Sequence, residues 1–203
     1  MTRTTPLTRS LARLLVGAML VPQAALAGPA GERVVRGNVT VTRSGADTTV
    51  RASNRSIIEW TDFDIAAGES VEFVQPNARA RVLNRVTGPD STEIEGALRA
   101  NGAVYIINPY GISFGGGYVD VGQLVAAAGN LGDADFVAGI DRFTGLTGRV
   151  ENFGTIEAGT VALLGASVAN HGTITVPNGR IWMLAGDEVR ALLRDAGFSE
   201  ELP

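Results

Sequence analysis

Short runs of β-forming residues, set apart by Gly, Asn, Asp and Pro, recur along most of the chain. Residues 39–42, 48–51, 57–60, 71–74, 82–86 and 103–107 each read as a strand. No long helical pattern precedes Asp187, whereas residues 187–196, with an acidic start and Gly197 as a stop, suit a short amphipathic helix. Gly115-Gly116-Gly117 and residues 130–147, rich in Asp and Gly, read as loops or an excursion from regular structure. In the C-terminal third the pattern repeats. Asn152-Phe153-Gly154-Thr155-Ile156 leads to Val161-Ala162-Leu163-Leu164-Gly165 and Val168, and Asn170-His171-Gly172-Thr173-Ile174 leads to Ile181-Trp182-Met183-Leu184 and Val189, with the two asparagines 18 residues apart.

A period near 20 residues built from short β-runs is the mark of a solenoid, in which each coil buries its apolar face against its neighbours. A parallel β-helix is therefore the expected fold, although periodicity alone also admits a β-sandwich. Asn152, Gly154, Asn170 and Gly172 are expected at repeating corners, where left-handed geometry is cheap for Asn and Gly and stacked amides can bond along the axis. Trp60, Phe63, Phe73 and Phe114 are expected in the core. Alternation in residues 79–85 puts Arg79 and Arg81 on one strand face, either a solvated face or a ridge that meets acidic partners.

One interruption is unusually well defined. Val104-Tyr105-Ile106-Ile107 stops at Asn108-Pro109-Tyr110-Gly111, and an apolar strand resumes at Ile112-Ser113-Phe114. The Asn108 side chain can bond the backbone two residues on, Pro109 presets φ for the first corner position, and Gly111 can take φ > 0 without penalty. A tight turn between two strands follows.

The N-terminus changes the picture of where the chain works. Arg3, Arg9 and Arg13 precede an apolar run over residues 14–21, too short to span a bilayer, and Ala25-Leu26-Ala27 supplies a small-residue cleavage pattern. Residues 1–27 are thus expected to be a signal peptide, leaving 14 Arg against 21 Asp plus Glu and a mature charge of about -7. Such a balance argues against nucleic acid or an anionic membrane surface as partner. The chain contains no cysteine, which suits a polypeptide that crosses a pore unfolded and equally suits the many exported proteins that simply lack disulfides.

Candidate catalytic chemistry is sparse. His171 is the single histidine and occupies the position that Phe153 holds in the preceding repeat, so it is read as an aromatic spacer. Asp62 with Asp64 and Asp133 with Asp135 could enter a calcium or acid-base site, but their turn contexts favour solvated loops. Residues 115–120 match part of a calcium-binding nonapeptide only once, and such sites require stacked repeats. No enzyme activity, cofactor or metal is expected.

Several blocks in order carry a family resemblance. Asn108-Pro109-Tyr110-Gly111 resembles the Asn-Pro-Asn-Gly signature of the two-partner-secretion domain at the N-terminus of filamentous-haemagglutinin-like exoproteins, with Tyr110 in place of the usual Asn. Ile57-Ile58-Glu59-Trp60 with Asp62-Phe63, Val71-Glu72-Phe73-Val74-Gln75-Pro76, Leu83-Asn84-Arg85-Val86-Thr87-Gly88, Val121-Gly122-Gln123-Leu124-Val125-Ala126 and the Asn152 repeat resemble successive blocks of that family.

The resemblance implies an all-β fold, a right-handed parallel β-helix of the pectin-lyase-like kind with an N-terminal cap, for which residues 33–42 are the candidates. It implies a domain over residues 28–189, followed by residues 190–203 as a tail, a cap or the start of a passenger. It also implies a secretion-targeting role: an outer-membrane two-partner-secretion transporter would recognise the extended chain through its periplasmic POTRA domains, with Asn84 and Arg85 as candidate contacts, and the product would fold outside a Gram-negative cell after passing through the outer membrane. A stand-alone adhesin binding a glycan or host cell is the alternative, and a pectate-lyase-like polysaccharide enzyme a more distant one.

Overall fold

The computed structural model describes residues 28–191; the expected signal peptide and its cleavage point, like residues 192–203, lie outside the described residues. Two stacks of parallel strands run the length of the domain. In the first, Asp47–Ala52, Ser70–Val74, the first half of Ala97–Ile107, the first half of Tyr118–Ala127, Thr155–Ala158 and Thr173–Thr175 pair in succession. In the second, Ser56–Trp60, Arg81–Val86, the second halves of the same two long strands, Val161–Gly165 and Ile181–Ala185 do the same. A shorter third stack holds Thr92–Glu93, Ile112–Phe114, Arg149–Asn152 and Ser167–Asn170. The result is a right-handed parallel β-helix of about 6 turns.

Alternation decides what each strand buries. Val50, Phe73, Val82, Val104, Leu124 and Val161 point inward and form one continuous core along the axis. Trp60, Phe63, Phe73 and Phe114 all belong to it, as the sequence suggests, with Trp60 and Phe63 meeting edge to face at 5.6 Å. At the N-terminal end Arg33–Arg36 pairs antiparallel with Ser56–Trp60, and Val39–Ser44 pairs antiparallel with Asp47–Ala52. These two reversed strands occupy the first edges of both long stacks, so the expected cap lies where residues 33–42 were placed.

Coil length is not uniform. The register advances 20 residues from Val104 to Leu124 and again from Val161 to Ile181, but 37 residues from Leu124 to Val161. The extra length leaves the solenoid as an excursion containing Asn130–Leu131, a six-residue helix Asp133–Ala138 and Asp141–Thr144. Loops or an excursion are what the sequence leads one to expect there; the helix is an addition, too short to display a 3.6-residue period. The excursion packs on the outer face of the second stack. Leu83, Tyr105, Val125 and Ala162 point outward on that face and are buried beneath Phe136 and Phe143. A second core therefore lies outside the coil.

Two expectations are corrected. The amphipathic helix over residues 187–196 is not formed in its described part: Glu188–Ala191 is a strand that pairs antiparallel with Asp141–Thr144, because strand edge and apolar cover are both waiting there for Val189. Arg79 and Arg81 do not share a strand face. Arg79 lies in the turn before the strand, where its N–H donates to Asn77 Oδ1 at 3.0 Å, and only Arg81 is part of the strand.

Candidate functional site

The turn at residues 108–111 is built from inside the solenoid. Asn108 is fully buried, and its amide donates to Asp90 O at 2.9 Å and Thr92 Oγ1 at 3.0 Å while its Oδ1 accepts from Tyr110 N at 3.0 Å. Its carbonyl accepts from Gly111 N at 3.1 Å, which closes the turn. Gly111 has φ +126°, in the region that side chains avoid, and a Cβ there would stand 3.2 Å from Arg149 O. The local chemistry expected from the sequence is thus present, with one addition. Asn108 also ties the turn to the preceding coil, which a tetrapeptide read in isolation cannot reveal. Tyr110 projects outward at 60% exposure, the most exposed large apolar side chain of this corner.

Asn84 and Arg85 lie next to each other in sequence and face opposite ways. Asn84 points into the core at 0% exposure, accepts from Trp60 Nε1 at 3.0 Å and donates to Tyr105 O at 3.1 Å. An amide is tolerated in this apolar interior because its hydrogen bonds are made. Arg85 points outward and donates to Leu131 O at 2.8 Å and Asp133 Oδ1 at 2.5 Å, with Glu59 Oε1 at 3.4 Å. Glu59 in turn pairs with Arg33 of the cap. Arg81, on the same outward face, lies 3.8 Å from Asp141 and over the Tyr105 and Phe136 rings at 5.9 and 5.8 Å. These arginines face the excursion, so Arg81 and Arg85 are neither a bare solvated face nor a free acidic-partner ridge in the folded domain.

The repeat corners form a ladder. Asn152 is buried and donates to Asn170 Oδ1 at 2.7 Å, and Gly154 N donates to Asn152 Oδ1 at 3.1 Å. Stacked amides along the axis are therefore present as expected. The reason for glycine differs from expectation: Gly154 and Gly172 do not have positive φ, and a Cβ on either would overlap the backbone carbonyl of the glycine one coil below, Gly117 and Gly154 respectively. Close approach of backbones, rather than left-handed geometry, demands glycine there. Phe153 and His171 stack at 5.0 Å with planes 17° apart, which gives the single histidine the spacer position read from the repeat.

The acid pairs are committed locally. Asp62 Oδ1 accepts from Asp64 N at 2.9 Å, and Asp64 Oδ1 accepts from Glu93 N at 2.7 Å. Burial pushes the Asp64 carboxyl up to about 6, against the lowering effect of the Glu93 N–H and with repulsion from Asp62 and Glu93 adding to the rise. Asp133 and Asp135 stand in the first turn of the short helix, where Asp133 meets Arg85. Among the described residues no group of three or more His, Asp or Glu is placed to hold a metal ion.

Architecture and corner together define a capped right-handed parallel β-helix with a backbone-locked Asn-Pro-x-Gly turn. The model of the TPS secretion domain family matches residues 25–196, and the chain belongs to that family, as the secretion domain of a two-partner-secretion exoprotein. It is 34% identical over 188 residues to a heme/hemopexin-binding protein of Haemophilus influenzae, an alignment covering 86% of this chain and 21% of that protein. A second Haemophilus influenzae heme/hemopexin-binding protein is 38% identical over 106 residues, 51% of this chain and 11% of its own length. The crystal structure of the HMW1 secretion domain from Haemophilus influenzae superimposes with a TM-score of 0.79 at 32% identity, covering 81% of this chain and 46% of that one. The chain thus spans about a fifth of the length of the first of these relatives.

Proposed function

We propose that this domain addresses its polypeptide to an outer-membrane two-partner-secretion transporter, whose periplasmic POTRA domains bind the chain while it is extended, and that it folds into the β-helix only outside the cell. The observation that carries this reading is the fate of Asn84 and Arg85. If these residues contact the transporter, they must do so before folding, because Asn84 ends at 0% exposure and Arg85 ends held by Leu131, Asp133 and Glu59. Strand addition suits an unfolded chain rich in β-formers, since main-chain bonds supply affinity and alternate side chains supply selectivity. Each coil formed outside then buries apolar surface at roughly 25 cal/mol per Å² and opposes return through the pore. The domain acts without catalysis or cofactor, in keeping with acid pairs that serve turns and a helix start.

Residues 28–189 constitute the targeting domain in this proposal, after removal of residues 1–27. Co-expression of the full chain with and without its partner transporter tests the function: the domain should accumulate outside the cell only when the transporter is present. Equal release without it would refute targeting. A second reading, a surface adhesin with a glycan ligand, is favoured by one feature, the stacked Phe153 and His171 at an exposed corner, with Phe153 at 50% exposure. Glycan-array binding lost in Phe153→Ala would support it.

A further inference from the structure

In a simple solenoid each coil touches only its neighbours, so stability is a sum of adjacent terms and an end can loosen without consequence further along. Here residues 128–148 break that rule. They reach Arg85 on the second rung of the outward-facing stack through the bonds to Leu131 O and Asp133 Oδ1. On the third rung, Tyr105 donates its hydroxyl to Asp141 Oδ1 at 3.2 Å and meets the Phe136 ring edge to face at 5.2 Å. On the fifth, Ala162 and Leu164 turn outward into the same apolar cluster as Phe136, Phe143 and Leu146. The excursion's own sheet is completed from beyond the sixth rung, where Glu188–Ala191 pairs with Asp141–Thr144 and Asp187 O accepts from Leu146 N at 3.2 Å. Val189 enters the same outer core as Leu83 and Phe143.

We propose that residues 128–148, closed by Glu188–Ala191, act as a strap that couples the second to sixth rungs into one cooperative unit, so that early coils reach full stability only once this last strand is seated. The coupling stands on the folded geometry alone. Its consequence for export rests on the proposed function: until the closing strand emerges, the outward strip of Leu83, Tyr105 and Val125 has an incomplete cover, and folding gains its final increment of stability at the end of the domain rather than evenly coil by coil.

Hydrogen exchange on the purified, folded chain, with no transporter present, tests the coupling separately from targeting. Val189→Asp places a charge in the outer core, whereas Ile174→Asp places one against the inner core of the last coil. Val189→Asp should accelerate exchange about tenfold or more at residues 81–86 and 130–144, several coils away, while Ile174→Asp should affect mainly residues 167–185. Acceleration by Val189→Asp confined to residues 181–191, or the same spread from both substitutions, overturns the strap. If either aspartate variant does not fold, Val189→Ala and Ile174→Ala are compared on the same two criteria.

Discussion

Replacing Gly117 with Ala should destabilise the domain severely, although Ala is the smallest side chain that can be added and the neighbouring Gly116 accepts it freely. A Cβ on Gly117 would lie 2.5 Å from Gly96 O, 2.8 Å from Ile94 O and 3.3 Å from Glu95 C, all backbone atoms of the coil below. These atoms cannot swing aside as a side chain would. Restoring ordinary contact near 3.4 Å requires the Gly96 carbonyl and the new Cβ to part by nearly 1 Å, at a cost of about 1–3 kcal/mol for overpacking. The same displacement stretches the bonds from Tyr118 N to Gly96 O at 3.1 Å and from Gly115 N to Ile94 O at 2.9 Å, which adds about 1 kcal/mol. The total, about 2–4 kcal/mol, is a large share of the roughly 5–15 kcal/mol that holds a domain folded. At Gly116 nothing lies within 4 Å of the added Cβ and φ is not positive, so Ala there should be neutral or stabilising by about 0.4–1 kcal/mol through the unfolded chain. Urea unfolding of both variants against the parent measures the difference directly. Stabilities within about 0.5 kcal/mol of each other would refute close backbone approach as the reason for the glycine column.

Gly111→Val should cost about 1–2 kcal/mol, because φ is +126° and Arg149 O stands 3.2 Å from the new Cβ, whereas Tyr110→Ala should leave urea unfolding unchanged and lower secretion only if the exposed ring is read by the transporter. Asp64, raised to about 6 by burial, binds a proton more tightly when folded, so its contribution to stability falls as pH rises from 4 toward 6; the parent should gain stability on acidification from pH 7 to pH 5 relative to Asp64→Asn, and parallel pH curves for the two would exclude this group. N-terminal sequencing of exported material should begin at Gly28, and a retained Met1 would reject the cleavage expected from Ala25-Leu26-Ala27.

Much of the fold was legible because solenoid corners and rungs are local signals. The 18-residue step from Asn152 to Asn170 is the actual register step at that corner, before two further residues lengthen the coil by Ile181, and the asparagines do stack. The N-terminal cap was legible only through family resemblance, since Arg33–Arg36 pairs with Ser56–Trp60 across a separation no local pattern encodes. The outer core went unread although a signal existed. Val104-Tyr105-Ile106-Ile107 and Leu124-Val125-Ala126-Ala127 are unbroken apolar runs, which indicate strands buried on both faces rather than one. The strand at Glu188–Ala191 could not be read locally, because the edge that overrides its helical pattern belongs to Asp141–Thr144. At the candidate site, the turn residues were legible, but the depth of Asn84 and the pairing of Arg85 depend on Trp60, Tyr105 and the excursion, none of which lies near them in sequence.

The order of recognition and folding is the central claim, and a titration tests it most directly. Mature chain diluted from denaturant and mature chain folded beforehand are each mixed with isolated POTRA domains of the partner transporter, and binding is followed before the diluted chain has folded. The unfolded chain, whose strand edges and Asn84 and Arg85 side chains are still available, should bind clearly more tightly. Equal affinity for the two forms, or tighter binding by the folded domain, would contradict that order.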